Sequence, residues 1–410
     1  MAKDPIVIIG GGRATASLID AYRDAGGDAL ITIISDDEYP PYNRPPLSKA
    51  VLRGEMEGLE ALVHEHETYD DLAVELRLAT TVESVDPKHC VVRTGSGEEI
   101  AYGTLVIASG TRPRLLAVEG ADLPAVHTFR TLSDAVAVAK EAGEARKALV
   151  VGGSFIGAEV AASLRMRGLE VTIVEMGDRL VPALASQELS DQVAELYREH
   201  GVEIALGEQI EEFRANGLML TGARTASGRT IEAFLAVVGV GVVPNVEFLD
   251  GSGLELSDGI TVDDRFHSSA PDVFAIGDVA RFDDAVAGRP RRIEHWGNAD
   301  SQGAHLGRNL AGGRKPYREV SAFFTKMFDV QLQLLGDTDG VDEVVLRGSI
   351  GDRNLVALYL REETLIAAAV VGQAADMIEE LRSLVGERPA LSDRSRLANS
   401  SVRPAAVFAH

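Results

Sequence analysis

The sequence contains one supersecondary pattern twice, and this repetition limits the folds that the chain can adopt. The two copies are "PIVIIGGGRATASLIDAYRDAGGDALITIIS", residues 5–35, and "KALVVGGSFIGAEVAASLRMRGLEVTIVEM", residues 147–176. Each contains an apolar strand, a glycine cluster, a helix with apolar residues three and four apart, and a second apolar strand. Two such βαβ units predict an α/β fold with parallel sheets.

The first copy has the spacing of a dinucleotide-binding loop. Gly10 and Gly12 match the first two glycines of that pattern, and Thr15 stands where a third glycine or alanine is expected. Asp36 lies 26 residues after Gly10, near the distance at which an acidic residue binds a ribose hydroxyl. The two acidic residues that follow Asp36 could take this role instead.

The second copy departs from the pattern at a different position. Gly152 and Gly157 match, and Ser154 replaces the middle glycine. Glu175 ends the second strand, where a carboxylate accepts a hydrogen bond from a ribose 2′-hydroxyl and repels a 2′-phosphate. We therefore predict NADH rather than NADPH, although Arg179 is close enough in sequence to offer a phosphate a positive charge.

The context of the glycine clusters favours nucleotide binding over two tight turns without ligands. Both clusters lie between a strand and a helix, 142 residues apart. In that position, glycines let the backbone approach a diphosphate, and the N-terminus of the helix faces its negative charge. The chain is therefore predicted to hold two dinucleotides.

Composition excludes several other functions. The net charge of −23 argues against a nucleic-acid partner, which would require phosphate neutralisation. Cys90 is the only cysteine, so the chain has no internal disulfide or dithiol, and electron chemistry must use a bound cofactor. Cys90 stands in an apparent strand and is predicted to pack as a small hydrophobe. The two histidines of "VHEHET" would point to different faces of a helix, so no metal site is predicted.

No apolar run is long enough for a membrane span, and the chain enters a strand almost at once, without room for a secretory signal. We therefore predict a cytoplasmic protein without a membrane partner.

From about Ser321 onward, alternating apolar stretches predict an antiparallel sheet with a terminal helix.

Five further motifs carry a resemblance to a known family: "YNRPPLSK", "VHTFRTLSDA", "VVGVGVVPN", "FAIGDVA" and "EHWGNADSQG". With the glycine loops, they make nearly the whole chain similar to the FAD-dependent ferredoxin reductases of Rieske oxygenases and cytochromes P450. These reductases belong to the glutathione-reductase-like superfamily. The resemblance implies two Rossmann-like domains, one for FAD and one for NAD, and a C-terminal α+β domain. It assigns the FAD-binding domain to residues 1–110 and 245–320, the NAD-binding domain to residues 111–244, and the C-terminal domain to residues 321–410.

The resemblance also implies the residues that contact the cofactors. It places Arg44 and Lys49 near the flavin and its diphosphate, Asp278 on the ribityl chain or phosphate at the start of a following helix, and Trp296 beside the isoalloxazine. The full set of implied cofactor-binding residues is Gly10, Gly12, Ala14, Thr15, Asp36, Arg44, Lys49, Val82, Ala108, Gly110, Arg130, Gly152, Phe155, Ile156, Gly157, Glu159, Glu175, Gly241, Gly277, Asp278, His295 and Trp296.

Two of these residues are expected to act in catalysis. By resemblance, Lys49 begins a helix beside the flavin N5 and pairs with Glu159, so that its charge stabilises the reduced flavin. Alternatively, Glu159 only complements the N-terminus of its own helix.

The function implied by the resemblance is electron transfer from NADH through FAD to a small iron–sulfur ferredoxin. Related thiol reductases and peroxidases carry a reactive cysteine just beyond the first acidic residue, where this chain has Asn43 and Arg44. Two alternatives remain, a rubredoxin reductase and an interaction protein similar to apoptosis-inducing factor. The chain is expected to be a monomer or a homodimer.

The C-terminal domain departs most from the family. Relatives have a tryptophan-rich motif of the type "WYWSD" where this chain has "SAFFTKMFDVQLQLLG", residues 321–336. Phe323 or Phe324 is expected to replace the aromatic residue that shields the flavin or nicotinamide. Lys326 replaces an acid, and we predict that it helps an acidic ferredoxin to dock.

Overall fold

A computed structural model describes residues 4–409, and the chain divides into two compact units. The first unit contains the chain up to Asn43, Ala61–Arg112 and Val243–Glu319. The second unit contains Arg44–Glu60, Pro113–Val242 and the chain from Val320 onward. The limits of the three expected domains remain a prediction, and their outermost residues, 1–3 and 410, lie outside the described part.

The α-helices of the described chain are α1 Arg13–Asp24, α2 His66–Asp71, α3 Leu132–Glu141, α4 Phe155–Met166, α5 Gln187–Glu199, α6 Trp296–Leu310 and α7 Ala375–Glu387. A π-helical turn spans Leu47–Val51, and 3₁₀ turns span Gly58–Ala61, Pro182–Leu184, Glu247–Leu249, Gly277–Val279, Arg394–Arg396 and Pro404–Val407. None of the helices in residues 4–409 is long and apolar enough to cross a membrane.

The strands up to residue 128 are β1 Ile6–Ile9, β2 Ile31–Ile34, β3 Val74–Arg77, β4 Val82–Asp86, β5 Val91–Thr94, β6 Glu99–Ala101, β7 Thr104–Ile107, β8 Thr111–Pro113 and β9 Val126–Thr128. Those up to residue 244 are β10 Lys147–Val151, β11 Glu170–Glu175, β12 Glu203–Leu206, β13 Ile210–Asn216, β14 Met219–Thr225, β15 Thr230–Glu232, β16 Leu235–Val238 and β17 Val242–Pro244. The remaining strands are β18 Leu256–Ser257, β19 Gly259–Val262, β20 Val273–Ala275, β21 Ala280–Asp284, β22 Arg289–Arg292, β23 Ala322–Met327, β24 Val330–Gly336, β25 Glu343–Ser349, β26 Asn354–Arg361 and β27 Thr364–Val371.

A parallel five-stranded sheet forms the centre of each unit. In the first unit the strand order is β20-β7-β1-β2-β3, and in the second it is β12-β11-β10-β16-β9. The central strands read "IVII" and "ALVV" and are buried along their length, as expected for parallel strands covered on both faces. The expected Rossmann-like architecture is confirmed.

The C-terminal part of the second unit is an antiparallel sheet of order β23-β24-β27-β26-β25, followed by α7. The expected antiparallel sheet and terminal helix are confirmed. Arg347, a buried cation on β25, donates hydrogen bonds to the carbonyl oxygens of Leu397 (2.6 Å) and Val402 (2.7 Å). These bonds attach the last segment of the chain to the edge of this sheet.

Helix α6 packs against α1 at backbone distance. A Cβ atom on Gly303 would lie 2.1 Å from the carbonyl oxygen of Ala14, and one on Gly307 would lie 2.3 Å from that of Leu18. Any side chain at these two positions would therefore separate the helices. The contact fixes the direction of α1, whose N-terminus follows the first glycine loop.

One expectation about the fold is wrong. Cys90 does not pack inside a strand but lies exposed in the turn between β4 and β5, with φ of +55°. The left-handed backbone at Cys90 belongs to that turn, so the strand that was predicted to include Cys90 begins only at Val91.

Candidate functional site

The first glycine loop connects β1 to α1 in the first unit. Gly10 has φ of +109°, and a Cβ atom there would lie 2.2 Å from the carbonyl oxygen of Ala108. By contrast, a Cβ atom on Gly12 would meet nothing within 4 Å. Gly10 is therefore required by the fold itself, whereas Gly12 leaves open space in front of the helix.

The N-terminus of α1 suits an anionic ligand. No side chain caps it in the described chain, and its first turn contains no acidic residue. The backbone N–H groups of such a turn, together with the helix dipole, favour a negatively charged group. The open space beside Gly12 lets a diphosphate reach these groups, so the loop fits the ADP half of FAD.

Thr15 explains how the first loop closes without its third glycine. The Thr15 hydroxyl donates a 2.7 Å hydrogen bond to the carbonyl oxygen of Gly10. In the second loop, a Cβ atom on Gly157 would lie only 2.0 Å from the equivalent carbonyl oxygen of Gly152. The first loop thus holds this carbonyl with a side chain, and the second holds it by direct backbone contact.

The acidic residues after β2 differ in their surroundings. Asp36 is exposed. The Asp37 carboxylate accepts hydrogen bonds from the Tyr42 hydroxyl (2.8 Å) and the Tyr39 backbone N–H (3.2 Å). Because Asp37 is bound within its own turn, Asp36 is the better candidate of these two to reach a ribose.

The Gly277–Asp278 turn is held from three sides. Gly277 N–H donates to the side-chain oxygen of Gln302 (2.8 Å), and the Arg292 guanidinium donates to the Asp278 carbonyl oxygen (3.0 Å). The Thr111 hydroxyl lies 3.5 Å from the Asp278 carboxylate. The expectation that a helix follows Asp278 is wrong, because Asp278 lies inside a 3₁₀ turn and the chain then enters β21.

Trp296 is the first residue of α6 and lies beside a cation that was not predicted. The Arg13 guanidinium carbon lies 5.0 Å from the centre of the Trp296 ring and is ion-paired with Asp300 at 2.7 Å. A basic residue directly after "GGG" is the signal that could have revealed Arg13. Burial lowers the pKa of the preceding His295 to about 4, against the opposing effect of the Asp278 charge, so this ring is neutral at pH 7.

The second glycine loop connects β10 to α4 in the second unit. Gly152 has φ of +106°, and a Cβ atom there would lie 2.3 Å from the carbonyl oxygen of Gly239. Ser154 is the N-cap of α4, and its hydroxyl accepts a 3.4 Å hydrogen bond from Gly157 N–H. The loop therefore has the same backbone path as the first, with a serine cap in place of the middle glycine.

Glu175 lies next to this loop and is held in one orientation. Its two carboxylate oxygens accept hydrogen bonds from the N–H groups of Gly153 (2.6 Å) and Gly177 (2.7 Å). Arg179, the possible phosphate ligand, donates instead to the neighbouring Asp178 at 2.9 Å and 3.2 Å. The fixed charge nearest to the loop is therefore negative.

Lys49 and Glu159 form a largely buried ion pair in the second unit. The Lys49 ammonium lies 2.6 Å from Glu159 Oε2, and their side chains are 13% and 4% exposed. Lys49 does not begin a helix as expected, but is the third residue of the π-helical turn Leu47–Val51. π-turns are uncommon and occur frequently at functional sites.

Two hydroxyl groups that were not predicted also bind Glu159. The Ser48 hydroxyl donates to Oε2 (2.5 Å), and the Thr325 hydroxyl on β23 donates to Oε1 (2.7 Å). Phe323, two residues before Thr325, packs against Phe155 with the ring centres 4.1 Å apart. Little in the sequence indicated the two hydroxyl residues. Ser48 stands directly before Lys49, and Thr325 lies inside the segment that departs from the family.

The other expected site residues are distributed over both units. The first unit contains Gly10, Gly12, Ala14, Thr15, Asp36, Val82, Ala108, Gly110, Gly277, His295 and Trp296. The second unit contains Arg44, Lys49, Arg130, Gly152, Phe155, Ile156, Gly157, Glu159, Glu175 and Gly241. The Arg130 N–H donates to the side chain of Asp134 (2.8 Å), just before α3. Among residues 4–409, no cluster of histidine, cysteine and acidic side chains could hold a metal ion.

Comparisons with known proteins agree with this geometry. Residues 4–303 match the family model "Pyridine nucleotide-disulphide oxidoreductase", and residues 322–405 match "Reductase C-terminal". The chain is 34% identical to the 5,5′-dehydrodivanillate O-demethylase ferredoxin reductase subunit of Sphingobium sp. (strain NBRC 103272 / SYK-6), over 96% of each chain. It is also 34% identical to rhodocoxin reductase of Rhodococcus erythropolis, over 94% of this chain and 90% of the relative.

Two solved structures are similar over nearly their whole length. One is the ferredoxin reductase for the CYP199A2 system from Rhodopseudomonas palustris, with a TM-score of 0.87 and 35% identity over 92% of this chain and 93% of that one. The other is the covalent putidaredoxin reductase–putidaredoxin complex, with a TM-score of 0.93 and 27% identity over 98% and 97%. The resemblance drawn from the motifs is confirmed. The chain belongs to the pyridine nucleotide-disulphide oxidoreductase family and, within it, to the ferredoxin reductases.

Proposed function

We propose that the protein is an NADH-dependent flavoprotein reductase that passes electrons through FAD to a ferredoxin serving a Rieske oxygenase or a cytochrome P450. The observation that carries this proposal is the pair of glycine loops, one in each unit, each leading into a helix that suits a diphosphate. The single cysteine cannot form a redox-active dithiol within the chain, so the electrons must travel on the bound cofactors.

The roles of the chain's own residues follow from their geometry. FAD, when bound, supplies the two-electron to one-electron chemistry. The loop at Gly10 and Gly12 binds the FAD diphosphate, and the loop at Gly152 and Ser154 binds that of NADH. Lys49 supplies a positive charge that Glu159 holds in place, and no residue is required to act as a proton donor.

The electron acceptor in this proposal is a ferredoxin. The alternatives are a rubredoxin as acceptor and an interaction protein that has no electron acceptor. Relatives that are 31–34% identical over 94–97% of this chain are named ferredoxin or rhodocoxin reductases, which supports the choice of a ferredoxin. We also propose that the protein works in the cytoplasm, because NADH is its donor. Its state as a monomer or a homodimer remains a prediction.

Steady-state oxidation of NADH against purified ferredoxins and rubredoxins, with cytochrome c as the terminal acceptor, tests the proposal. We expect at least one ferredoxin to raise the rate well above that without a carrier. Comparable rates with rubredoxins alone would identify a rubredoxin reductase. No stimulation by any carrier would favour an interaction protein that binds FAD and NADH.

Glu175 is expected to select NADH. Because its carboxylate is fixed beside the loop and Arg179 is bound to Asp178, a 2′-phosphate would meet an uncompensated negative charge. We expect kcat/KM with NADH to exceed that with NADPH by at least about 100-fold, and Glu175→Gln to reduce this ratio about tenfold. Equal efficiency with both dinucleotides in the unmodified protein would contradict the assignment.

Lys326 is expected to contribute to ferredoxin docking. It is exposed on β23, next to the buried Thr325, and an acidic partner would be attracted to it. We expect Lys326→Glu to raise the KM for ferredoxin about three- to tenfold at low salt and less at high salt. The matched control is Lys88→Glu, an exposed lysine between β4 and β5, and an equal effect of both variants would exclude a specific contact.

A further inference from the structure

Two polar residues of α4 and the residue that caps its C-terminus are spaced four apart, and all three bind the segment that contains Lys49. Glu159 binds Ser48 and Lys49, the Ser163 hydroxyl donates to the Ser48 carbonyl oxygen (2.6 Å), and the Arg167 guanidinium donates to that of Leu52 (2.8 Å). Residues at this spacing share a face of a helix. The helix that begins at the second glycine loop therefore holds the Lys49 segment along its whole length.

The Glu159 carboxylate has a full set of donors. Oε2 receives the Ser48 hydroxyl (2.5 Å) and the Lys49 ammonium (2.6 Å), and Oε1 receives the Thr325 hydroxyl (2.7 Å) and the Lys326 N–H (3.4 Å). A carboxylate offers about four acceptor positions, so this set satisfies it. A buried ion pair is tolerated only when such additional hydrogen bonds are present.

We propose that Thr325 is a positioning residue for flavin reduction, with Ser48 as its counterpart on the other carboxylate oxygen. Thr325 does not touch the Lys49 ammonium directly, but its hydroxyl fixes Oε1 of Glu159, and Oε2 of the same carboxylate fixes Lys49. Without that hydroxyl, only the long bond from Lys326 N–H remains on Oε1. The carboxylate is then free to turn, and Lys49 loses its fixed partner.

The proposal rests on the proposed function, because it concerns the charge that Lys49 offers to the bound flavin. It adds a contribution of the C-terminal sheet to that charge, since Thr325 lies on β23. Thr325 is completely buried, so its hydroxyl has no access to solvent as an alternative partner. This position lies in the segment that departs most from the family motif.

Variants that separate the hydroxyl from the shape of the side chain test the proposal. Thr325→Val keeps the shape and removes the hydroxyl, whereas Thr325→Ser keeps the hydroxyl. The matched control is Thr225→Val, another completely buried strand threonine of the second unit, whose hydroxyl binds Ser227 (3.0 Å) and the Arg229 carbonyl oxygen (3.4 Å). The FAD-loaded variants are mixed with NADH in a stopped-flow instrument, and the midpoint potential of the bound flavin is measured separately.

We expect Thr325→Val to lower the limiting rate of flavin reduction about tenfold and to change the dissociation constant of NADH less than about twofold. Its flavin midpoint potential becomes more negative, because a displaced ammonium stabilises the reduced form less. Thr325→Ser restores at least half of the rate, and Thr225→Val matches the unmodified protein. Ser48→Ala changes rate and potential in the same direction as Thr325→Val.

An unchanged rate and potential in Thr325→Val would overturn the proposal, as would an equal loss in Thr325→Ser, which would attribute the effect to packing. If Thr325→Val does not fold, Ser48→Ala decides, and an unchanged rate and potential in that variant overturn the proposal. The unmodified protein separates this result from the function itself. If NADH reduces its flavin and the variants behave like it, only the positioning role fails, whereas a flavin that NADH does not reduce contradicts the proposed function.

Discussion

Replacement of Lys49 with methionine is expected to slow the reduction of the bound flavin by NADH about 100-fold. The ammonium of Lys49 is the cation that we place beside the flavin, and the loss of one fixed electrostatic group typically costs a factor of about 10² to 10³. The measurement is the limiting rate of flavin bleaching under anaerobic conditions. A rate within about twofold of the unmodified protein would remove Lys49 from the reaction.

Lys49→Met also leaves Glu159 as a buried carboxylate without its cation, which typically costs about 3 to 5 kcal/mol of folding free energy. A double variant separates this effect from catalysis. In Lys49→Met/Glu159→Gln, both charges are absent, so we expect the free energy of unfolding to recover most of the loss. We expect the reduction rate to stay low, because the charge beside the flavin is still missing. Recovery of the rate together with the stability would show that Lys49→Met acts only through folding.

Replacement of Gly12 with alanine is expected to weaken FAD binding about 10- to 100-fold without lowering the Tm of the FAD-free protein. A Cβ atom at Gly12 would meet no protein atom within 4 Å, and φ there is −95°, which alanine adopts without strain. Only a ligand that approaches the loop would meet the added methyl group. FAD affinity is measured by titration of the FAD-free protein, and its Tm by calorimetry.

Two further glycines complete this test. Gly10→Ala forces a side chain into φ of +109° and to within 2.2 Å of the Ala108 carbonyl oxygen, so it should lower the Tm even without FAD. Gly351→Ala, at an exposed position with no close neighbour, should change neither quantity. Unaltered FAD affinity in Gly12→Ala would contradict the assignment of this loop to the FAD diphosphate.

The sequence was sufficient to predict what depends on local patterns. The strand–glycine–helix order identified both loops and both parallel sheets, because glycine spacing and apolar periodicity act over a few residues. Neither substitution in the loops could be interpreted in advance. The hydrogen bond of Thr15 to the Gly10 carbonyl oxygen and the capping of α4 by Ser154 depend on side-chain rotamers that the spacing does not specify.

Contacts between distant parts of the chain could not be predicted in this way. Thr325 binds Glu159 across 166 residues of sequence, and no pattern around either residue indicates the other. Arg13 and Asp300, which also form a pair, are 287 residues apart in the sequence. The helix contact at Gly303 and Gly307 was easier to predict, since small residues four apart on a helix are typical of close helix contacts.

Two expectations failed because a turn interrupted a regular pattern. Cys90 directly precedes the apolar residues of β5, but it is the last residue of the turn from β4 to β5, where the backbone becomes left-handed. At Asp278, a Gly-Asp pair after a buried strand resembles the start of a helix, but only one 3₁₀ turn forms before β21.

The electron path that we propose runs from NADH through bound FAD to an iron–sulfur protein. An anaerobic two-step stopped-flow experiment tests it most directly, by following flavin absorbance first with one equivalent of NADH and then with an excess of oxidised ferredoxin. We expect NADH to bleach the flavin and the ferredoxin to restore its absorbance while its own iron–sulfur band decreases. A flavin that NADH does not bleach, or one that stays reduced in the presence of every ferredoxin tested, would exclude this electron path.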